Sequence, residues 1–175
     1  MVVMFTRQSR GIGTLRGLSI ARGFTLVELI IVIVLLGVLA VVAAPRIFNT
    51  GDFNARGFKD QTLSLLRYAQ KVAIAQRRTV CVTFTLSSAT LRIASAPAVS
   101  ACDTDLVGPQ GGSPASVSAR PGVSYASLPA AVQFSGLGQP YGGPPLVPLT
   151  AISTITVIGV ANPIIIEPVT GYVRE

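Results

Sequence analysis

The chain has 175 residues, half of them hydrophobic, and a formal charge of +7. That length leaves room for one domain beside any targeting or anchoring segment. With no His, no Trp and only two Cys, His-built metal centres and His-based acid–base catalysis are excluded.

The charge is unevenly spread. Residues 1–23 hold four arginines (Arg7, Arg10, Arg16, Arg22) and no acid, leaving ten cations against seven acids, or +3, in the remainder. Much of the basic balance therefore reads as a targeting signal rather than a nucleic-acid surface. Within this leader, Gly11-Ile12-Gly13-Thr14-Leu15-Arg16-Gly17 has the wrong spacing for a G-x-G-x-x-G phosphate loop, and no strand precedes it.

From Phe24 to Ala44 there are 21 residues, and Glu28 is the only charge among them. As a helix they would reach about 30 Å, the thickness of a bilayer hydrocarbon core. Positive charge ahead of the run predicts a cytoplasmic N-terminus with the rest outside. An ordinary signal anchor or cleavable signal peptide is the alternative. Val42-Ala43-Ala44 offers small residues for cleavage, but Pro45 follows at once and Glu28 sits inside the apolar region. Locally, Glu28 is a carboxylate near a helix N-terminus, favoured by the helix dipole. In an apolar segment it costs roughly 2.5–3.5 kcal/mol at the bilayer centre, so it calls for a partner.

Gly23-Phe24-Thr25-Leu26-Val27-Glu28-Leu29, behind a basic leader and ahead of a charge-free run ending at Pro45, resembles the processing site of type IV pilins and type II secretion pseudopilins. The resemblance implies cleavage between Gly23 and Phe24 by a prepilin peptidase and N-methylation of Phe24. It also implies that Glu28 pairs with the N-terminus of a neighbouring subunit during assembly. The implied partners are that peptidase, other major and minor pilin subunits and an inner-membrane assembly platform; no cofactor is implied. The implied location is a single-pass inner-membrane protein before assembly, then a periplasmic or extracellular filament. The chain divides accordingly into a leader (1–23), a hydrophobic membrane and assembly helix (24–45), an amphipathic half of the spine helix (46–78) and a β-rich head (79–175).

Beyond the run, Pro45, Asn49-Thr50-Gly51-Asp52 and Gly57 predict a kink or unwound stretch. Phe58, Thr62, Leu65, Leu66, Ala69, Val72 and Ala73 then share one helical stripe, with Asp60, Ser64, Arg67 and Lys71 opposite. The helix is expected to end near Gln76, with Arg77-Arg78 closing its C-terminal end. Val80–Leu86 alternates as a strand, Ser87-Ser88-Ala89 reads as a turn, and Thr90–Ala94 as the returning strand. Residues 95–131 read as mostly loop, with a short strand near Val123–Leu128. A strand over Ala131–Ser135 precedes a Gly/Pro-rich excursion at 136–148. Ser153–Ile158 and Pro163–Pro168 read as later strands, and Thr170–Arg174 as a last turn and strand. One helix followed by antiparallel strands is an α+β architecture, a long N-terminal helix packed on an antiparallel sheet.

Cys81 and Cys102 form an even pair in a segment expected to face an oxidising compartment. A disulfide is the economical reading, with two buried free thiols the alternative. A catalytic thiol lacks a histidine to activate it. Asp103-Thr104-Asp105 reads as a polar turn before it reads as a cation site. No nucleophile elbow is present, so no enzyme is expected.

The spine helix, the strand after Arg77-Arg78-Thr79 and the ending Gly171-Tyr172-Val173-Arg174 are similar to the GspH/FimT group of minor pilins and pseudopilins. The cysteine after the spine helix also resembles minor subunits of mannose-sensitive-haemagglutinin-type pili. That likeness implies a subunit that primes or caps a filament. The competing function is a tip subunit contacting DNA or a surface, for which Arg77, Arg78, Arg92, Arg120 and Arg174 are the candidate contacts.

Overall fold

The computed structural model describes residues 24–47, 50–143 and 147–175, with side chains described throughout except at 41–50. The leader, with Gly23 and its half of the cleavage site, lies outside the described residues. Contacts divide the chain into two units, Met1–Pro45 and Arg46–Glu175.

In the first unit the backbone forms α1 (Leu26–Ile47), whose last two residues belong to the second. Up to Ala44 its sequence is Leu, Ile and Val broken only by Glu28 and small residues, with Pro45 and Arg46 near its end, and Glu28 stands in the first turn, where the helix dipole favours an anion. Every described side chain from Phe24 to Ala40 is exposed. Among the described residues no helix is long and apolar enough to cross a membrane. The α1 side chains are described only from Leu26 to Ala40, a stretch of about 22 Å, so the rest of the span expected over 24–44 falls outside them.

The second unit opens with α2 (Thr50–Gln76). Thr50, Gly51, Asp52 and Gly57 are helical rather than unwound, whereas Asn49 of the expected kink lies outside the described residues. Each glycine costs roughly 1 kcal/mol of helix propensity, but burial of Ala55 and Phe58 offsets this, and Asp52 in the first turn complements the dipole. The expected stripe faces inward: Phe58, Thr62, Leu65, Leu66, Ala69 and Ala73 are buried and Val72 is half-buried, while Asp60, Ser64, Arg67 and Lys71 are exposed.

Strands β1 (Val80–Phe84) and β2 (Ser88–Ile93) form the first hairpin. Ser88 and Ala89 lie in β2, not in a turn, because the chain reverses at Leu86-Ser87, closed by the Thr85 N–H donating to the Ser88 carbonyl at 2.9 Å. This register sets Val80, Val82 and Phe84 opposite Ile93, Leu91 and Ala89. A slip of one residue would turn that apolar row to the other face.

The region expected as loop contributes two short strands, β3 (Thr104–Asp105) and β4 (Ser116–Ser118), both paired to β2. Next come β5 (Val132–Phe134), on the other side of β1, and β6 (Pro140–Gly142), inside the expected excursion. The order is β3-β2-β1-β5-β6, with β4 beside β3 on β2. A second, three-stranded sheet holds β7 (Ser153–Ile155), β8 (Ile164–Ile166) and β9 (Val173–Arg174), in that order. All pairings are antiparallel. The head is thus two sheets rather than one, on the α+β plan of a helix followed by antiparallel strands.

The core lies between α2 and the strands, built on Leu66, Val80, Val82, Leu91, Phe134, Ile164 and Ile166. Burying each such side chain contributes roughly 1.5–3 kcal/mol. Tyr125 joins the sheets. It bridges Val157, and its N–H donates to the Leu86 carbonyl at 2.9 Å. Its ring packs on Phe58 (centroids 4.8 Å apart) and edge-on to Phe84 (5.8 Å). This single bridge is what stands where a strand over Val123–Leu128 was expected.

Candidate assembly site

Thr25 precedes the first helical residue and carries a hydroxyl, so it caps α1. Its Oγ1 accepts the Glu28 N–H at 3.2 Å, and its carbonyl accepts the Leu29 N–H at 3.1 Å. Thr25-Leu26-Val27-Glu28 also has the S/T-x-x-E spacing of a capping box, a signal legible in the sequence that the motif reading passed over. The cap fixes Glu28 one turn inside the helix, exposed, four residues from Phe24, which is itself exposed. Glu28 makes no ion pair among the described residues. A lone carboxylate on an apolar helix can accept a cation from another molecule.

Cys81 and Cys102 are joined by a disulfide, with Cα atoms 6.0 Å apart. It ties β1 to the segment that leads into β3. Chain-entropy reasoning assigns a ring of this size roughly 3 kcal/mol.

Of the five candidate arginines, two are paired with acids. Arg92 pairs with Asp105 (3.1 Å) and donates to the Asp103 carbonyl (2.9 Å). Arg174 pairs with Glu167 at 2.7 Å. Arg77 and Arg78 lie just past α2, not in its last turn, and Arg120 lies in the loop after β4. Asp103 accepts the Ser95 N–H at 2.9 Å, and the Ser95 hydrogen bonding holds its carboxyl below the usual range. Thr104 and Asp105 are strand β3 on the edge of β2 rather than the polar turn expected there, and among the described residues no cluster of metal-ligating side chains occurs.

Two features escaped sequence reasoning. Lys59 is buried on α2 and bonds the Glu175 carboxylate, with Asp60 at 3.8 Å. A cleft of about 700 Å³ runs beside α2 between Asp60, Ser64, Tyr68 and the 108–118 segment. The Lys59 contact joins residues 116 apart in sequence, and no local pattern encodes it.

The N-terminal arrangement has counterparts elsewhere. A family described as the prokaryotic N-terminal methylation motif matches residues 18–44. A type IV narrow pilus major component from Thermus thermophilus is 32% identical over 93 residues, covering 53% of this chain and 64% of the relative. The chain thus spans somewhat less than two thirds of the length of the relative it matches. No solved structure matches.

Proposed function

We propose that this chain is a type IV pilin-like protein, a structural subunit of a type IV pilus or secretion-type filament; the match of residues 18–44 to the N-terminal methylation motif and the partial likeness to a pilus component support this reading. The observation that carries the reading is Glu28, capped by Thr25 into the first turn of an apolar helix whose described side chains are all exposed. Such a helix needs a solvent or a partner. In this reading a bilayer covers it first and the helices of neighbouring subunits cover it afterwards.

The steps follow from charge. The basic leader holds the N-terminus in the cytoplasm while residues 24–45 enter the inner membrane. The prepilin peptidase cuts between Gly23 and Phe24, and Phe24 becomes an N-methylated ammonium. The Glu28 carboxylate, unfavourable in hydrocarbon, is relieved when a neighbouring subunit's ammonium reaches it. In that low-dielectric setting the attraction is strong enough to fix register. Residues 46–78 then serve as the lower spine and 79–175 as the exposed head, the head stapled through Cys81–Cys102. The GspH/FimT likeness supports a minor subunit that primes or caps the filament, delivered by the assembly platform among other pilins. The likeness of part of the chain to a major component makes relative abundance in purified filaments the measurement that separates these roles.

The reading is tested by intact mass and N-terminal sequencing of protein from its host. A chain that begins at N-methyl-Phe24 and gains two hydrogens on reduction is expected. A chain that retains Met1, or begins at Ala44 or Pro45, overturns the assembly mechanism. Glu28→Ala should still enter the membrane and be processed, yet be absent from sheared filaments. Wild-type incorporation of that variant would sink the role given to Glu28.

A further inference from the structure

We propose that the N-terminal end of α2, with the turn between β7 and β8, forms a lipid-contact rim that rests on the anionic bilayer surface before assembly. The proposal rests on the reading above that residues 24–45 first occupy a membrane.

Two bulky apolar side chains carry it. Phe53 is 79% exposed and Ile158 is 57% exposed. They belong to one corner of the head. Beside Ile158, a Cβ added at Gly159 would lie 3.8 Å from both the Ala55 Cβ and the Asp52 carboxylate, the residues that flank Phe53 and its successor on α2. The turn is held in place by the Ile158 N–H donating to the Ser124 carbonyl at 3.0 Å and the Val160 N–H to the Val157 carbonyl at 3.2 Å. Ile158 therefore projects from an ordered turn. Arg56, one turn further along α2, is exposed and makes no ion pair among the described residues.

Chain length makes lipid the fitting occupant. Phe53 follows Ile47, the last residue of α1, by six positions. Six residues span at most about 20 Å in any conformation. A bilayer carries roughly 5–7 Å of headgroup region on each side of its hydrocarbon core. Exposed Phe53 and Ile158 with a nearby arginine, tethered this closely to an apolar run, have the composition of an interfacial contact: apolar side chains at the headgroup–acyl boundary, cation among the lipid phosphates.

The chain contains no tryptophan, so single-Trp variants of the full chain report one site each. Phe53→Trp, Leu36→Trp and Leu137→Trp are reconstituted into vesicles of phosphatidylethanolamine and phosphatidylglycerol carrying spin-labelled lipids of shallow or deep position. Leu137, 82% exposed, is the control, since its neighbour Gly138 packs on Ile74 toward the other end of α2. The expected result is deep quenching at Leu36→Trp, about twofold shallow quenching at Phe53→Trp, and none at Leu137→Trp. Adding Ile158→Asp to Phe53→Trp should abolish the shallow quenching without changing that of Leu36→Trp. Quenching at Leu36→Trp alone overturns the rim and leaves the filament-subunit reading standing. Absence of quenching at Leu36→Trp overturns both. A blue shift at Phe53→Trp that follows protein concentration, without lipid quenching, assigns the rim to a neighbouring subunit and overturns lipid.

Discussion

Arg77 shows how a single residue records the demands around it. Its φ is +52°, the left-handed region that a side chain rarely adopts. The Arg78 N–H bonds the Ala73 carbonyl at 3.1 Å and the Arg77 N–H bonds the Ile74 carbonyl at 3.3 Å. That pair of bonds is a Schellman motif with arginine at the position glycine usually takes. The two arginines were expected to close α2 through their charges, and instead the backbone closes it. Opposite, a Cβ on Gly136 would come within 2.8 Å of the Arg77 carbonyl carbon, and neither backbone can yield. Arg77→Gly should therefore stabilise the chain by about 1 kcal/mol, raising the melting temperature by roughly 2–4 °C. Gly136→Ala should destabilise it by about 1–3 kcal/mol. Thermal unfolding of both variants in detergent checks the pair. An Arg77→Gly variant no more stable than the parent would mean that the left-handed turn carries no strain.

At the scale of elements, what the sequence foretold depended on how local the encoding was. The α2 stripe from Phe58 to Ala73 repeats at helical spacing over four turns, so its buried face was legible. Thr25 and Glu28 were likewise written into four consecutive residues. By contrast, β3 and β4 are two and three residues long and mostly exposed. They are strands only because β2 offers its edge, setting Asp105 opposite Arg92 and Val117 opposite Ala89, and no alternation fits in so few positions. Tyr125 depends on three partners from two elements: Phe58 and Thr62 on α2 and Phe84 on β1. Thr62 donates to the Phe58 carbonyl at 2.9 Å, which leaves its oxygen to accept the Tyr125 hydroxyl, also at 2.9 Å. Burial pushes the phenol pKa up, and the Thr62 hydrogen bond opposes this in part. A pKa raised by folding means the folded state holds the proton more tightly. That stability is fully present below the ordinary phenolic value and is lost as pH rises through the folded one. Tyr125→Phe keeps the ring packing and should cost about 1 kcal/mol at neutral pH. It should also flatten the loss of stability above about pH 10. Denaturant unfolding across pH reads both effects, and an unchanged alkaline limb in Tyr125→Phe would assign that limb to other groups.

Across the whole head, α2 is clamped to the later chain at three heights. Lys59 holds the Glu175 carboxylate, Arg67 donates to the Val173 carbonyl at 3.0 Å, and Gln70 donates to the Gly138 and Thr170 carbonyls at 3.1 and 2.9 Å. The second sheet is thereby fastened to the helix on which the first is built. The Lys59 clamp is the one that pH can open. Its ammonium is buried, with 8% of the side chain exposed, whereas the Glu175 side chain is half exposed at 52%. The Lys59 hydrogen bond, and then its charge, hold the Glu175 pKa below the usual carboxylate value. A pKa lowered by folding contributes stability above the unfolded value, and that stability is lost as pH falls through the folded one. Asp103 is lowered as well, through the Ser95 hydrogen bonding, so both groups act in the same acid window. Below about pH 4.5 the head should lose stability progressively. Glu175→Gln should be less stable than the parent at pH 7, because Lys59 keeps only Asp60 nearby, and its acid limb should be shallower. Lys59→Met, which removes the buried charge and fills its space, should also show the shallower limb while retaining more stability at pH 7 than Glu175→Gln. Chemical unfolding of the parent and both variants from pH 3 to pH 7 decides it. Three parallel pH profiles would mean that the clamp does not set the acid stability of the head.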